Sequence, residues 1–344
     1  MLTAPPRPIL LIQTAFIGDV ILATALLEHL HHTEPDTPVD FLVRKGNEGL
    51  LRQHPHVREV LVWNKQQDKY RGLWHLLQRI RRGGYGRVVT LQRFASTGFL
   101  TAFSGAPERL GFQQNPFSFR FTRALPHVIG AGVHEVARNL HLLDPGYQGP
   151  TIPPRLYPTP ADEAAAAPYA AAGPYVCIAP TSVWFTKQFP QEQWLKLLAA
   201  LPAQYTVYLL GGPPDVAACQ QLLERAARPG VVNLAGKLSL LASAALMRGA
   251  VLNYVNDSAP MHLCSAVGAP VCAVYCSTVP YFGFGPLSPF SRVVQIPEEL
   301  ECQPCGLHGY RKCPLGHFRC AYGIETSQLL AALAEREMSD EVRR

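Results

Sequence analysis

No apolar run in this 344-residue chain reaches the roughly 20 residues needed to cross a bilayer. Its first residues also lack the charged-then-apolar pattern of an export signal. A cytoplasmic protein is therefore expected. Internal repeats at solenoid periods are absent. So is the dense basic stripe of a nucleic-acid binder: 31 Lys+Arg against 25 Asp+Glu leave a net charge of +6. That mild excess suits anionic small molecules or an anionic membrane surface. Charged residues are scarce at 16% against 48% hydrophobic, the balance of a globular protein with substantial cores. The length suits two domains. The turn Gln13–Asp19 holds one glycine, Gly18, which excludes the three-glycine dinucleotide fingerprint.

Cysteine is better represented, with nine residues in two groups. Cys177, Cys219, Cys264, Cys272 and Cys276 lie in or beside apolar segments and read as small core residues. Cys302, Cys305, Cys313 and Cys320 form C-x2-C-x7-C-x6-C, with His308 and His317 among them. Four thiolates can close a tetrahedron around zinc, but the second pair lacks C-x2-C spacing. A reduced cysteine-rich loop is favoured over a metal site, and without an export signal no disulfide framework is expected.

The order of elements argues for an α/β protein. Apolar runs at Ile9–Gln13, Val39–Val43, Val57–Trp63 and Arg87–Leu91 read as strands, with helices over Asp19–His31 and Tyr70–Arg82. A second series begins at Tyr175–Ala179 and continues through Thr206–Leu210, Val231–Leu234, Ala250–Val255 and Val271–Tyr275. Strands alternating with helices imply parallel sheets. Gly146 to Gly173, rich in proline, glycine and alanine, reads as the boundary, near residue 160. The expected fold is two doubly wound, Rossmann-like domains facing each other across a cleft, with ligands at the carboxyl ends of strands.

Polar residues gather at those ends. After the run Ala250–Val255 comes Asn256-Asp257-Ser258-Ala259-Pro260-Met261-His262, opening a helix closed by Gly268. A helix start carries bare N–H groups and partial positive charge, a natural seat for phosphate. A plain helix cap by Asp257 or Ser258 fits the same residues. Asp19 likewise sits at a helix start, where a carboxylate is favoured whether or not it does chemistry. Thr181, Ser182 and Lys187 follow the strand Tyr175–Ala179.

These residues carry a resemblance. Gly18-Asp19-Val20-Ile21, Arg109-Leu110-Gly111-Phe112, His134 to Asn139, Thr186-Lys187-Gln188-Phe189-Pro190, Gly211-Gly212, Asn233 to Leu240 and Asn256 to His262 occur in the order found in the ADP-heptose:lipopolysaccharide heptosyltransferases, glycosyltransferase family 9. The chain resembles that family over nearly its whole length. The resemblance implies the glycosyltransferase type B fold. It divides the chain into an acceptor domain over 1–160, a nucleotide-sugar (donor) domain over 161–325, and a helix and tail over 326–344 packing back on the first domain.

It further implies an inverting, metal-independent enzyme that moves a heptose or related sugar from an ADP-sugar to a lipopolysaccharide-core or other surface-glycan acceptor. No cofactor is implied, the ADP-sugar being the donor substrate. By motif, Asp19 would be the general base and Lys187 would stabilise the leaving diphosphate. Thr181, Ser182, Asp257, Ser258, Ala259 and His262 would hold the phosphates. Leu238 and Ser239 would lie beside the adenine, and Asp215 falls near the ribose by a looser alignment.

Two positions depart from the family pattern. Ala259 replaces a common glycine, and Gln13 stands where a basic residue is usual. Arg93, Arg109 and Arg120 are the cations expected to meet an anionic acceptor instead, or else to be solvated surface charge. Partners are a nucleotide-diphosphate sugar, a lipid-linked glycan and the inner face of the cytoplasmic membrane by peripheral contact, with no nucleic acid. Leu73, Leu76, Leu77 and Ile80 give Tyr70–Arg82 one apolar face, which reads first as an ordinary amphipathic helix and second as a patch resting on anionic lipid. Other readings on the same fold are a nucleotide-sugar epimerase-like enzyme and a catalytically silent nucleotide-sugar-binding relative.

Overall fold

The computed structural model describes residues 5–66 and 69–341. The chain forms two compact units, Met1–Tyr157 and Pro158–Arg344, dividing close to the boundary read near residue 160.

The first unit contains strands β1 (Ile9–Ile12), β2 (Val39–Arg44), β3 (Glu59–Trp63), β4 (Arg87–Thr90), β5 (Glu108–Phe112) and β6 (Arg123–Leu125). Its helices are α1 (Ile17–Thr33), α2 (Lys69–Arg82), α3 (Ala95–Ala102) and α4 (Glu135–Leu143). All its strand pairs are parallel, in the order β3-β2-β1-β4-β5-β6. The central strands are buried on both faces, so β1 reads as a continuous apolar run rather than an alternating one. Leu76, Leu77 and Ile80 of α2 join Leu10, Ile12 and Leu42 in one core layer. Each such side chain contributes about 1.5–3 kcal/mol by leaving water. Asp40 on β2 is fully buried and accepts two hydrogen bonds from Arg58, at 2.9 and 2.7 Å, and one from Tyr85 at 2.6 Å.

The second unit contains α5 (Pro160–Ala170), β7 (Tyr175–Ala179), α6 (Gln191–Ala200), β8 (Thr206–Leu209), α7 (Val216–Arg225), β9 (Val231–Asn233) and α8 (Leu240–Gly249). It continues with β10 (Leu252–Asn256), α9 (Ala259–Val267), β11 (Val271–Tyr275), β12 (Ser291–Gln295), α10 (Arg319–Tyr322) and α11 (Thr326–Glu341). Its sheet runs β12-β11-β10-β7-β8-β9, again all parallel. Counted from its own first strand, each sheet has the order 3-2-1-4-5-6, the Rossmann arrangement. Trp194 of α6, Leu222 of α7 and Ile178 of β7 meet in the core.

Within the segment 146–173, Thr159 and Asp162 form a capping box that starts α5 across an alanine run. The last helix contributes to the second unit's core. Leu329, Ala332 and Leu333 of α11 are buried there, and Tyr254 of β10 donates its hydroxyl to the Leu329 carbonyl at 3.1 Å.

Candidate active-site residues

In a 3-2-1-4-5-6 sheet the chain turns one way after strand 1 and the other way after strand 4, which opens a crevice between their carboxyl ends. The first unit has this reversal between β1 and β4, and the second between β7 and β10. The residues singled out by sequence fall mainly at these two places.

In the first unit, the turn from β1 to α1 is gripped from several sides. Gln92, just past β4, accepts the Thr14 N–H at 3.2 Å and the Thr14 hydroxyl at 2.7 Å. Asn47 donates to the Ala15 carbonyl at 3.2 Å, and Lys65 to the Thr14 carbonyl at 3.0 Å. Gln13 accepts from the Ala15 N–H at 3.2 Å, so it serves the turn itself.

Asp19 is the third residue of α1, and its Oδ2 accepts the Phe16 N–H at 3.2 Å. The capping role is therefore present, and one oxygen performs it. The helix start favours the charged carboxylate and burial opposes it. Burial wins, and with the nearby charge of Glu135 it raises the Asp19 carboxyl to about 6.

Glu135 stands at the start of α4. Burial pushes its carboxyl up, but the hydrogen bond from His127 and the charges of His127 and Arg138 outweigh burial and hold it below the usual range. Its Oε2 meets Arg138 at 2.7 Å and His127 at 3.2 Å. An ionised Glu135 thus sits behind a half-ready base. Sequence reading quoted the His134–Asn139 motif without giving Glu135 a job.

The three arginines named for the acceptor separate. Arg93 follows β4 at the carboxyl edge of the sheet and is exposed. Arg109 is the second residue of β5, at the opposite edge. Its guanidinium donates to the carbonyls of Arg120, at 2.9 Å, and of Ala106. Those carbonyls occupy the guanidinium in holding the loop. Arg120 lies on the same loop, with its guanidinium 5 Å or less from the Phe103 ring centre, at 4.9 Å. Arg109 and Arg120 both have partners within the protein at that edge. Arg44, 5.0 Å over the Phe16 ring, and Lys65 are the cations that stand beside the β1 turn, and neither was singled out by sequence.

In the second unit, Lys187 Nζ meets Asp257 Oδ2 at 2.6 Å, and Thr278 donates to the same oxygen at 2.6 Å. Both charged side chains are largely buried. Asn256 joins the loop after β7 to the end of β10: its Oδ1 accepts the Phe189 N–H at 2.9 Å, and its Nδ2 donates to the Thr181 carbonyl at 3.3 Å. Thr186 accepts from Ser277 at 3.0 Å and from the Tyr310 N–H at 2.7 Å. The ends of β7, β10 and β11 are therefore knitted around the ion pair.

The capping alternative for Asp257 and Ser258 is not what forms. Ser258 occupies the N-cap of α9 without a side-chain cap bond, and the Asp257 oxygen is engaged by Lys187 and Thr278. Among the described residues, the N-cap side chain leaves the positive dipole end of α9 without a cap bond. Ala259 is the first helical residue, in ordinary helical backbone, and Phe318 is the only non-glycine with positive φ among the described residues. No conformation special to glycine is required at Ala259. Gly268, by contrast, closes α9 at φ +67° in the left-handed region. His262 is buried in the second turn of α9.

Ser239 has a structural task. Its hydroxyl accepts the Ala242 N–H at 2.9 Å as the cap of α8 and donates to Asp162 at 2.7 Å. Leu238, half-buried, stays available beside it. Asp215 accepts the Gly212 N–H at 2.8 Å, which fixes the turn after β8. Among the described residues no group of three or more His, Cys, Asp or Glu is arranged to hold a metal. Burial pushes the Cys320 thiol up to about 12 and raises Cys305, with Cys302 and Cys313 adding to both.

Two Rossmann-ordered sheets with their polar residues at the strand reversals define the glycosyltransferase type B class. The fold matches the solved structure of the Escherichia coli ADP-heptose lipopolysaccharide heptosyltransferase II, with a TM-score of 0.81 at 22% identity over 97% of this chain and 99% of that one. It also matches the Escherichia coli heptosyltransferase WaaC solved with ADP, with a TM-score of 0.71 at 20% identity over 96% and 99%. In sequence the chain is 27% identical over 316 residues to the lipopolysaccharide heptosyltransferase 1 of Pseudomonas aeruginosa, covering 86% of this chain and 85% of that protein.

A family model described as glycosyltransferase family 9 (heptosyltransferase) matches residues 73–312. The chain belongs to that family and is a glycosyltransferase of the heptosyltransferase type. Lys187 and Asp257 fall inside the matched span. Asp19 falls before it, so its candidacy stands on its place at the β1 reversal and its raised pKa.

Proposed function

We propose that the protein transfers a heptose or related sugar from an ADP-sugar to the glycan of a lipid-linked lipopolysaccharide-type acceptor. In this reading the transfer inverts the anomeric centre, needs no metal, and takes place at the inner face of the cytoplasmic membrane. The observation that carries it is the carboxyl of Asp19, placed at the β1 reversal and raised to about 6. A base with a pKa near the working pH combines ionisation with proton affinity. Asp19 takes the proton of the acceptor hydroxyl as that oxygen attacks the anomeric carbon. The bond to the diphosphate breaks on the opposite face, which inverts the centre in one displacement.

Charge then builds on the departing diphosphate. The Lys187 ammonium and the uncapped amino end of α9 stabilise charge that exists mainly in the transition state. Asp257 is a carboxylate and would repel a diphosphate if it faced it directly. Its contact with Lys187 makes it a positioning residue, fixing the ammonium through the 2.6 Å pair. Thr181, Ser182 and Ser258 supply hydroxyl donors for the phosphates, and Arg93 a cation for an anionic acceptor. The ADP specificity rests on relatives: two solved neighbours of the same fold are described with ADP-heptose or ADP in their names.

The test is a panel of ADP-, UDP- and GDP-sugars with a purified core-glycan acceptor. ADP-heptose should give acceptor-dependent release of ADP, unchanged by a chelator, with an inverted product by NMR. Turnover with a UDP- or GDP-sugar in preference, or ADP release that ignores the acceptor, would sink the reading.

A further inference from the structure

The first unit holds a cavity of about 510 Å³ that no step above uses, walled by Trp63, Tyr70, Leu73, Ala95, Phe99 and Phe117 with Lys65 at its side. Its volume is that of a ligand pocket, and its lining is almost entirely apolar. Large aromatic side chains stand out around it. Tyr70 and Phe119 are each 78% exposed, Phe94 is 62% and Trp74 is 51%. Tyr70 and Trp74 lie one turn apart on α2, beside the face that Leu76, Leu77 and Ile80 bury. Phe119 stacks on Phe117. Aromatic side chains of this kind sit well at a lipid–water boundary.

The stretch of sequence that supplies most of the cavity's wall is strongly basic. From Lys69 to His134 the sequence holds ten Lys and Arg and a single carboxylate, Glu108, which is paired with Arg87 at 3.1 Å. That stretch is net +9 while the whole chain is +6, so the remainder is net negative. Arg71 follows Tyr70 on the first turn of α2, and Arg93 and Phe94 lead into α3. Lys65 connects the cavity to the reversal point, since the same ammonium that flanks the cavity donates to the Thr14 carbonyl, in the turn that leads into Asp19.

We propose that the cavity receives an acyl chain of the anionic lipid that carries the acceptor glycan, with Lys65, Arg71 and Arg93 meeting its charged head region. A half-open apolar cleft suits a slender chain. A flat bilayer surface would satisfy the exposed aromatics and cations but would leave the slot unfilled. The proposal rests on the lipid-linked acceptor read above and goes beyond it, by making the lipid as well as the glycan part of what is recognised.

Binding of 1-myristoyl lysophosphatidylglycerol, below its micelle concentration, tests this on the full chain, with glycerophosphoglycerol as the same head without a chain. Equilibrium dialysis and the fluorescence of Trp63 report the binding. The acyl probe should bind at least about a hundredfold more tightly than the bare head, because each buried methylene adds affinity. Ala95→Trp, which fills the slot, should weaken it at least about tenfold. Arg71→Gln should weaken it only about fivefold and make it less sensitive to salt.

Ser96→Phe is a second filling variant should Ala95→Trp fail to fold, and ADP binding should stay unchanged in both. Equal binding of the two probes, or undiminished acyl binding in both folded filling variants, would overturn the proposal. Binding to phosphatidylglycerol vesicles without binding of the acyl probe would assign the face to a charged bilayer surface and overturn it as well. Transfer to a deacylated glycan acceptor tests the proposed transferase activity by itself, so failure of the one is distinguishable from failure of the other.

Discussion

At the β1–β4 reversal of the first unit stands a carboxylate that burial raises to about 6, with a second, ionised carboxylate behind it. At the β7–β10 reversal of the second unit stands an ammonium already paired with a carboxylate. The strand order is the same in both, so topology supplies the same crevice twice and says nothing about its chemistry. The difference comes from what each turn is held by. Amide side chains (Gln13, Gln92, Asn47) and Lys65 grip the first turn, and among the described residues Asp19 has no cation in hydrogen-bond contact. Hydroxyls and Asn256 grip the second and leave the one strong cation to Asp257. A proton acceptor and a charge stabiliser are the two kinds of group that a sugar displacement from a diphosphate uses.

The largest expected effect separates the two on the carboxylate side. Asp19→Asn keeps an acceptor for the Phe16 N–H and removes the base. Transfer should fall about 10²–10⁴-fold, while ADP binding, which the proposed function assigns to Lys187 and α9 of the other unit, stays as it was. Stability should move the other way. A carboxyl raised from 3.8 to about 6 binds its proton more readily in the folded state, so its ionisation weakens the fold as pH climbs through that window. The melting temperature of Asp19→Asn at neutral pH should therefore equal or exceed that of the parent. A large drop in melting temperature, or near-full transfer, would break the comparison.

On the cation side, Lys187→Met should lower transfer about 10²–10³-fold and weaken ADP binding. It also strands a buried carboxylate, at a cost of about 3–5 kcal/mol. The double variant Lys187→Met with Asp257→Asn removes that stranded charge. It should regain stability by thermal melting without regaining activity. Parallel recovery of both would mean that Lys187 serves the fold and not the reaction.

The pH profile sharpens the comparison further. Asp19 must be ionised to accept a proton, so kcat/KM should rise with pH through about 6, the value burial sets. Because the charge of Glu135 helps to raise that value, Glu135→Gln should move the rising limb to lower pH, as measured by initial rates from pH 5 to 8. A limb that stays in place would remove Glu135 from the electrostatics of Asp19.

Much of this was readable from residues alone where local pattern and local cause coincide. Tyr175–Ala179 and Val271–Tyr275 are strands over those same residues, because short apolar runs bounded by turn residues are buried central strands. The helix from Ala259 to Val267, with its left-handed Gly268, follows from proline at its start and glycine past its end. The polar corners at Asp19, Lys187 and Asp257 were found for the same reason. What stayed hidden depends on distant partners. Nothing local says that Lys187 and Asp257 touch, or that the Ser239 hydroxyl is taken by Asp162 from α5. The alanine run after Thr159 was not read as a helix because its apolar periodicity is weak, although its capping box was present.

Arg109 and Arg120 carry the same lesson at its smallest expected effect. Glu108–Phe112 is a five-residue strand containing Gly111, too short and too polar at its start to be read as one. Without the strand, the sheet edge on which these arginines sit was not known. Both lie at the amino edge, away from the β1–β4 reversal, where Arg109 ties the Ala106 and Arg120 carbonyls together. Arg109→Gln should therefore leave the KM for the acceptor unchanged within about twofold and lower the melting temperature by a few degrees, the loss of charge-assisted hydrogen bonds worth roughly 1.5–3 kcal/mol. Arg93→Gln, at the carboxyl edge, should do the reverse, raising acceptor KM severalfold with the melting temperature held. Acceptor kinetics that respond to Arg109 and ignore Arg93 would place the acceptor at the wrong edge of the sheet for a ligand bound at the strand reversal.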